Sequence, residues 1–250
     1  MDMKLKTILA VFLITVGACK DDKVEDPVPI TKYVRLTMQP VFGSAVLSLD
    51  DTVTTAEGYK VQFTNLKCYF SSLKNGSNEL TQAALYDYAS NGIEVLKVAG
   101  EPANFSSLSG FLGVDPAYNH DDPSAFPNSS PLNIMNANDM HWDWNPGYIF
   151  MKVEAKVDTI PDATTLLDHF VIFHIGTDPF IQNVAFSGLN WTNDGKGVYT
   201  APLKLDLQKF LQNGTQTIDL KTEYTSHTMS GQEVLSEKVI QNFAAAISVY

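Results

Sequence analysis

The chain has 250 residues, 44% of them hydrophobic, with 17 basic against 28 acidic side chains and a formal net charge of −11. That apolar fraction is enough for a packed core and excludes an intrinsically disordered chain. The acidic balance excludes nucleic acid and anionic headgroups as partners recognised by charge, and is compatible with cations.

Lys4 and Lys6 precede an apolar run from Ile8 to Val16, which ends in Val16-Gly17-Ala18-Cys19. This is the pattern of a secretory signal peptide over residues 1–18, since the run is shorter than the roughly 20 residues a spanning helix needs. Small residues ending at a cysteine resemble the bacterial lipobox, so Cys19 is the expected lipidation site, followed by a lipidated tether over 19–30. Lys20-Asp21-Asp22 resembles the tag that routes some Gram-negative lipoproteins outward, and a solvated charged spacer is the alternative. The expected address is an outer-membrane lipoprotein at the cell surface, or otherwise facing the periplasm. Cleavage would remove Asp2, Lys4 and Lys6, a net +1, and leave −12. With Cys19 acylated, Cys68 is the one other cysteine. No internal disulfide could then form, and stability has to come from a core or a metal.

Residues 31–250 suit one β-rich domain. Runs of Val, Ile, Phe, Tyr and Thr cut by Gly, Asn, Asp and Pro predict strands over 33–38, 45–49, 59–73, 80–88, 105–113, 148–157, 168–175, 184–187, 198–205 and 217–220. Asn75-Gly76 and Asp194-Gly195 mark tight turns, because these residues tolerate positive φ. Asp206 to Leu211 predicts a short helix stopped by Asn213-Gly214, and Gln232 to Ala246 a longer one with Val234, Leu235, Val239, Ile240 and Phe243 near one face. Between Gly113 and Asn138 lies an irregular stretch with four prolines, longer than most structureless connections. The expected fold is all-β: an antiparallel β-sandwich or barrel with a long irregular loop and a C-terminal helix.

The densest chemistry lies in Met140-His141-Trp142-Asp143-Trp144-Asn145-Pro146-Gly147-Tyr148. In an extended segment Met140, Trp142 and Trp144 share one face, and His141 and Asp143 the other. Imidazole and thioether together favour copper over magnesium or calcium. Zinc is poorly served, because the sequence has no cysteine cluster and no His-x-x-x-His. His174 lies in Val171-Ile172-Phe173-His174-Ile175-Gly176, read as apolar on both faces, where an imidazole needs a partner or a metal. His227 has Met229 two residues on; His120 and His169 read as solvated. A hydrophobic core or an exposed indole platform that stacks on sugar rings accounts for the tryptophans equally well. Phosphate loops, nucleophile elbows and metalloprotease motifs are absent. A hydrolase using Asp115, Asp121 and Asp122 is the least favoured class.

Four segments in this order resemble the MbnP-like proteins, copper-binding proteins associated with methanobactin operons. They are Leu66-Lys67-Cys68-Tyr69-Phe70-Ser71-Ser72, Phe111-Leu112-Gly113-Val114-Asp115, the Met-x-Trp-x-Trp-x-x-Gly-Tyr pattern at Met140–Tyr148, and Phe173-His174-Ile175-Gly176. The resemblance implies a copper protein without turnover of its own, in which a tryptophan is oxidised to kynurenine by a partner dihaem peroxidase of the MauG type. It makes His174 the first ligand candidate, with Met140, His141 and His227 behind it. Trp142 or Trp144 is the modification candidate. His141 falls at a spacer position of the pattern, where it could pair with Asp143. A metal-free lipoprotein module that binds glycan or protein is the alternative.

Overall fold

A computed structural model describes residues 31–250 except 50, 138, 143–146, 161 and 163. The signal peptide, the tether with Cys19, and Trp144 with Asp143 lie outside the described residues. The strands are, in chain order, β1 (Tyr33–Phe42), β2 (Ala45–Val46), β3 (Val53–Thr54), β4 (Lys60–Asn75), β5 (Asn78–Asp87), β6 (Glu94–Ala99), β7 (Ser107–Leu112), β8 (Ile149–Asp158) and β9 (His169–Gly176). They continue with β10 (Gln182–Ser187), β11 (Thr192–Asn193), β12 (Val198–Asp206), β13 (Gln212–Asn213), β14 (Gln216–Thr217), β15 (Thr225–Ser226) and β16 (Ile247–Val249). The α-helices are α1 (Tyr88–Asn91), α2 (Pro116–Asn119), α3 (Leu207–Leu211) and α4 (Glu233–Ala246).

Two sheets and α4 enclose the main core. The smaller runs β11-β12-β1-β2, with β6 on β1 and β16 on β12; the larger runs β10-β7-β4-β8-β9-β15, with β3 and β5 on β4. The architecture is all-β and sandwich-like, as the residue patterns predict, but it is not purely antiparallel: β1 pairs with β12, and β9 with β15, in parallel. Inward side chains such as Val34, Leu36 and Met38 of β1, Phe63, Leu66 and Phe70 of β4, and Val171, Phe173 and Ile175 of β9 are buried together. Of the predicted apolar face of α4, Val239, Ile240 and Phe243 are buried, whereas Val234 in the first turn is exposed.

The site depends on β4, whose first half pairs with β8 and whose second half pairs with β5 and β7. The strand predicted over 59–73 runs on to Asn75 and is interrupted near its end: Ser72 takes φ +51 and the register shifts before the strand continues. Opposite it stands Gly110, where a Cβ would lie 2.7 Å from the Ser71 carbonyl oxygen and 2.9 Å from that of Ser72. Only a residue without a side chain lets β7 approach this kink.

A second core cluster sits on the outer face of the larger sheet. It contains Tyr69, Val114, Leu132, Ala137, Met140, Trp142, Tyr148, Ile149 and Phe150. The long segment after Gly113 covers this face, and polar side chains pin it there. Ser71 Oγ donates to the Gly113 carbonyl at 2.8 Å and accepts from the Asp115 amide at 2.9 Å, while Ser72 Oγ donates to Asp115 Oδ2 at 2.7 Å. Asp115 caps α2, and Asn119 at its end accepts from the Tyr148 amide at 2.9 Å and donates to Asp178 at 2.7 Å. Tyr69 Oη donates to the Pro131 carbonyl at 2.9 Å, and Tyr148 Oη donates to that of Leu132. The expected irregular loop is therefore a cover packed onto the sheet, held by these polar contacts.

Candidate metal centre

His174 lies on β9 and alternates with the buried Val171, Phe173 and Ile175. The strand is not apolar on both faces. Its outer face carries Phe170, exposed, and Ile172 and His174, half-buried, so the imidazole stands outside the main core. The reason is that this face is covered only where the Trp142 segment and the residues around His227 fold over it.

His227 reaches His174 through register. Thr225 pairs in parallel with Ile172 and Ser226 with Phe173, so the next position along β15 falls beside His174. The turn that follows is held by Gln232 Oε1, which accepts from the His227 amide at 2.8 Å, and by the buried contact of Ser226 Oγ with Ser236 Oγ at 2.7 Å. The two imidazole ring centroids are 4.9 Å apart, and that of Trp142 is 6.3 Å from His174 and 6.4 Å from His227. The indole is held by a short antiparallel pairing of 140–142 with 147–149: the Trp142 amide donates to Gly147 at 3.0 Å and the Ile149 amide to Met140 at 2.9 Å. Its Nε1 lies over Gly176, where a Cβ would be 3.0 Å from that nitrogen. The glycine of the His-x-Gly segment is thus the seat of the indole.

His174 Nε2 meets Glu154 Oε1 at 2.7 Å, and Asn65 Nδ2 donates to the other oxygen of Glu154 at 3.3 Å. The hydrogen bond with His174 is the largest influence holding the Glu154 carboxyl below its ordinary range. His227 is shifted below its ordinary value of 6.5, chiefly because burial disfavours the imidazolium and next because His174 is close. Neutral His227 offers a lone pair, and a carboxylate-tethered His174 is the arrangement that fixes ring orientation in metal sites.

His141 pairs with Tyr148 across the short hairpin, edge-on to its ring at 5.0 Å, and lines a cavity of about 340 Å³ with Ile134, Ala137, Asp139, Trp142, Ile149, Lys152 and His174. Met140 is fully buried in the second cluster and does not line that cavity. Its thioether therefore packs the wall behind the indole. Cys68 is a free, buried thiol whose pKa burial raises, consistent with packing. His120 bonds Asp178 at 3.0 Å and His169 the Leu220 carbonyl at 3.0 Å, so neither is simply solvated as expected. Asp115 caps α2 and Asp122 caps the one-turn 3₁₀ helix Pro123–Ala125. Trp142 is 6% exposed, so little of its ring is open for stacking. Residue patterns missed Glu154, Asn65 and Lys152, which stand on β4 and β8 among apolar neighbours; Asn119 was missed too.

The fold and this face define a class: an all-β sandwich that gathers an imidazole pair and an indole on the outer face of one sheet under a packed cover. The chain belongs to the MbnP family, whose model matches residues 31–230. Among solved structures it is similar to MbnP from Methylosinus trichosporium, at 15% identity over 72% of this chain and 77% of that one, with a TM-score of 0.44. Comparison with curated proteins gives no match.

Proposed function

We propose that this protein is a copper carrier that binds the metal at His174 and His227, with Trp142 at the edge of the site. The observation that supports this reading is the triangle of three rings with His174 tethered to Glu154. The point equidistant from the three ring centres lies about 3.4 Å from each, and an ion bound at ~2 Å to an imidazole nitrogen sits about 3 Å from that ring's centre. Among the described residues no group of three His, Cys, Asp or Glu side chains gathers. That donor set falls short of the three or four protein ligands of zinc sites, and imidazole with low coordination suits copper. Copper bound there supplies a redox-active, soft Lewis acid. Glu154 orients the His174 ring, burial keeps His227 neutral, and the cover excludes bulk water from one side.

The reading extends to a lipoprotein anchored through Cys19 and to oxidation of Trp142 or Trp144 to kynurenine by a partner dihaem peroxidase; the family membership and the tryptophan spacing support it. Titration of the purified protein with Cu(I) and Cu(II) tests the copper claim. Binding tighter than about 1 μM, lost in His174→Ala and in His227→Ala, is expected. Weaker binding to both ions, or binding indifferent to both substitutions, sinks it. Intact mass tests the modification separately: gain of one oxygen with loss of one carbon should appear only with the partner oxidase.

A further inference from the structure

We propose that the cavity beside His174 is a binding site for a small organic monoanion, held through the ammonium of Lys152. Lys152 is only 8% exposed and lines the cavity of about 340 Å³. Among the described residues its nearest carboxylate is Glu154 Oε1 at 3.8 Å, beyond hydrogen-bond reach, and that oxygen is already engaged with His174 Nε2 at 2.7 Å. Among the described residues nothing accepts a hydrogen bond from this ammonium. A buried cation in that condition is costly unless something else meets it.

The surroundings explain why the charge is left over. Asp87, Lys67, Lys152 and His174 form a row of directly opposed residues across β5, β4, β8 and β9. Asp87 is taken by Lys67 at 3.2 Å, and Glu154 by His174. The two buried lysines therefore share a row in which each nearby carboxylate has a prior partner. Asp139, which lines the cavity, is exposed, and water screens it.

The rest of the lining is mixed: Ile134, Ala137, Trp142 and Ile149 are apolar, and the imidazoles of His141 and His174 are polar. An ammonium beside these four apolar side chains suits an anion whose small apolar body packs on them while its charged end meets Lys152. At about 30 Å³ per water, the space equals about ten waters, the size of an aromatic monocarboxylate. The inference stands on the metal-free protein and does not need the copper reading.

Benzoate, titrated into the metal-free full-length protein at low ionic strength and followed by calorimetry and amide chemical shifts, tests it. One-to-one saturation with a Kd of about 1 mM is expected, weakened at least about tenfold by Lys152→Met, which removes a charge-assisted hydrogen bond. Ile134→Glu places a negative charge at the exposed mouth without touching the core and should weaken binding several-fold, less so in salt; it carries the test if Lys152→Met fails to fold. Benzamidinium, of the same shape and opposite charge, should not bind. Unsaturable benzoate binding, equal binding of benzamidinium, or affinity unmoved by both substitutions overturns the proposal.

Discussion

Gly176→Ala isolates the seat of the indole. The added Cβ would lie 2.5 Å from the Tyr148 carbonyl oxygen, 3.0 Å from Trp142 Nε1 and 3.4 Å from Ile149 Cα. Two opposed effects set the sign. Alanine narrows the unfolded ensemble, which by itself stabilises by about 0.4–1 kcal/mol. Overpacking against backbone costs about 1–3 kcal/mol, and here the closest atoms are backbone at Tyr148, bridged to His141, and at Ile149, which opposes Gly176 itself in the β8–β9 pairing. The clash wins by about 1–2 kcal/mol, a fall in Tm of about 2–8 °C for a domain of this size. Thermal unfolding followed by far-UV circular dichroism measures it, and the near-UV spectrum reports the displaced indole. A Tm equal to or above that of the parent, with an unchanged near-UV spectrum, would refute the packing argument. It would mean that the strand end yields and the glycine is not what positions Trp142.

Ser71→Ala removes a fully buried hydroxyl that serves both the Gly113 carbonyl and the Asp115 amide. Two orphaned backbone groups should cost about 2–4 kcal/mol, and hydrogen exchange at the Asp115 amide should accelerate; unaltered exchange there would contradict the clasp. Glu154, held low chiefly by His174, contributes stability that is present above its unfolded pKa and lost as pH falls through its lowered folded value. Glu154→Gln should lower Tm at neutral pH and flatten the acid limb of Tm against pH, and a loss that is the same at every pH argues against the pairing. His227, held below 6.5, leaves the unfolded chain to take up the proton first, so stability falls as pH drops below 6.5. His227→Gln should remove that slope; its persistence would assign it elsewhere.

How much of this was legible depends on the range of the physical signal. Long strands with period-2 apolar spacing and Gly-containing turns are local facts, so β4, β8, β9 and the Asn75-Gly76 hairpin could be read directly. The two-residue strands could not, because Thr225–Ser226 has no period to detect. Yet that pair, laid parallel on β9, is what delivers His227 to His174. β6 was overlooked although Val95, Leu96 and Val98 carry an apolar signal. Lys152 and Glu154 alternate with apolar residues, a pattern that singles out neither; Lys152 is buried and Glu154 half-buried beside a cavity partly walled by the cover, which is remote in sequence.

The four family-like segments form one mechanical chain rather than four separate features. Ser71 and Ser72 hold Asp115, Asp115 caps α2, and Asn119 at the far end of α2 takes the Tyr148 amide. Tyr148 in turn backs the hairpin that carries Trp142, and the indole rests on Gly176, two residues past His174. Each link is a short polar contact or a close approach that only a small residue permits. A change at Ser71 therefore loosens the cover first and the indole next, while leaving the His174 and His227 pair, which hangs on β9, β15 and α4, in place. The imidazole pair is thus held by β9, β15 and α4, whereas the indole rests on β9 but is carried by the covered hairpin, so damage to the cover should alter what happens at Trp142 before it alters what His174 and His227 can hold.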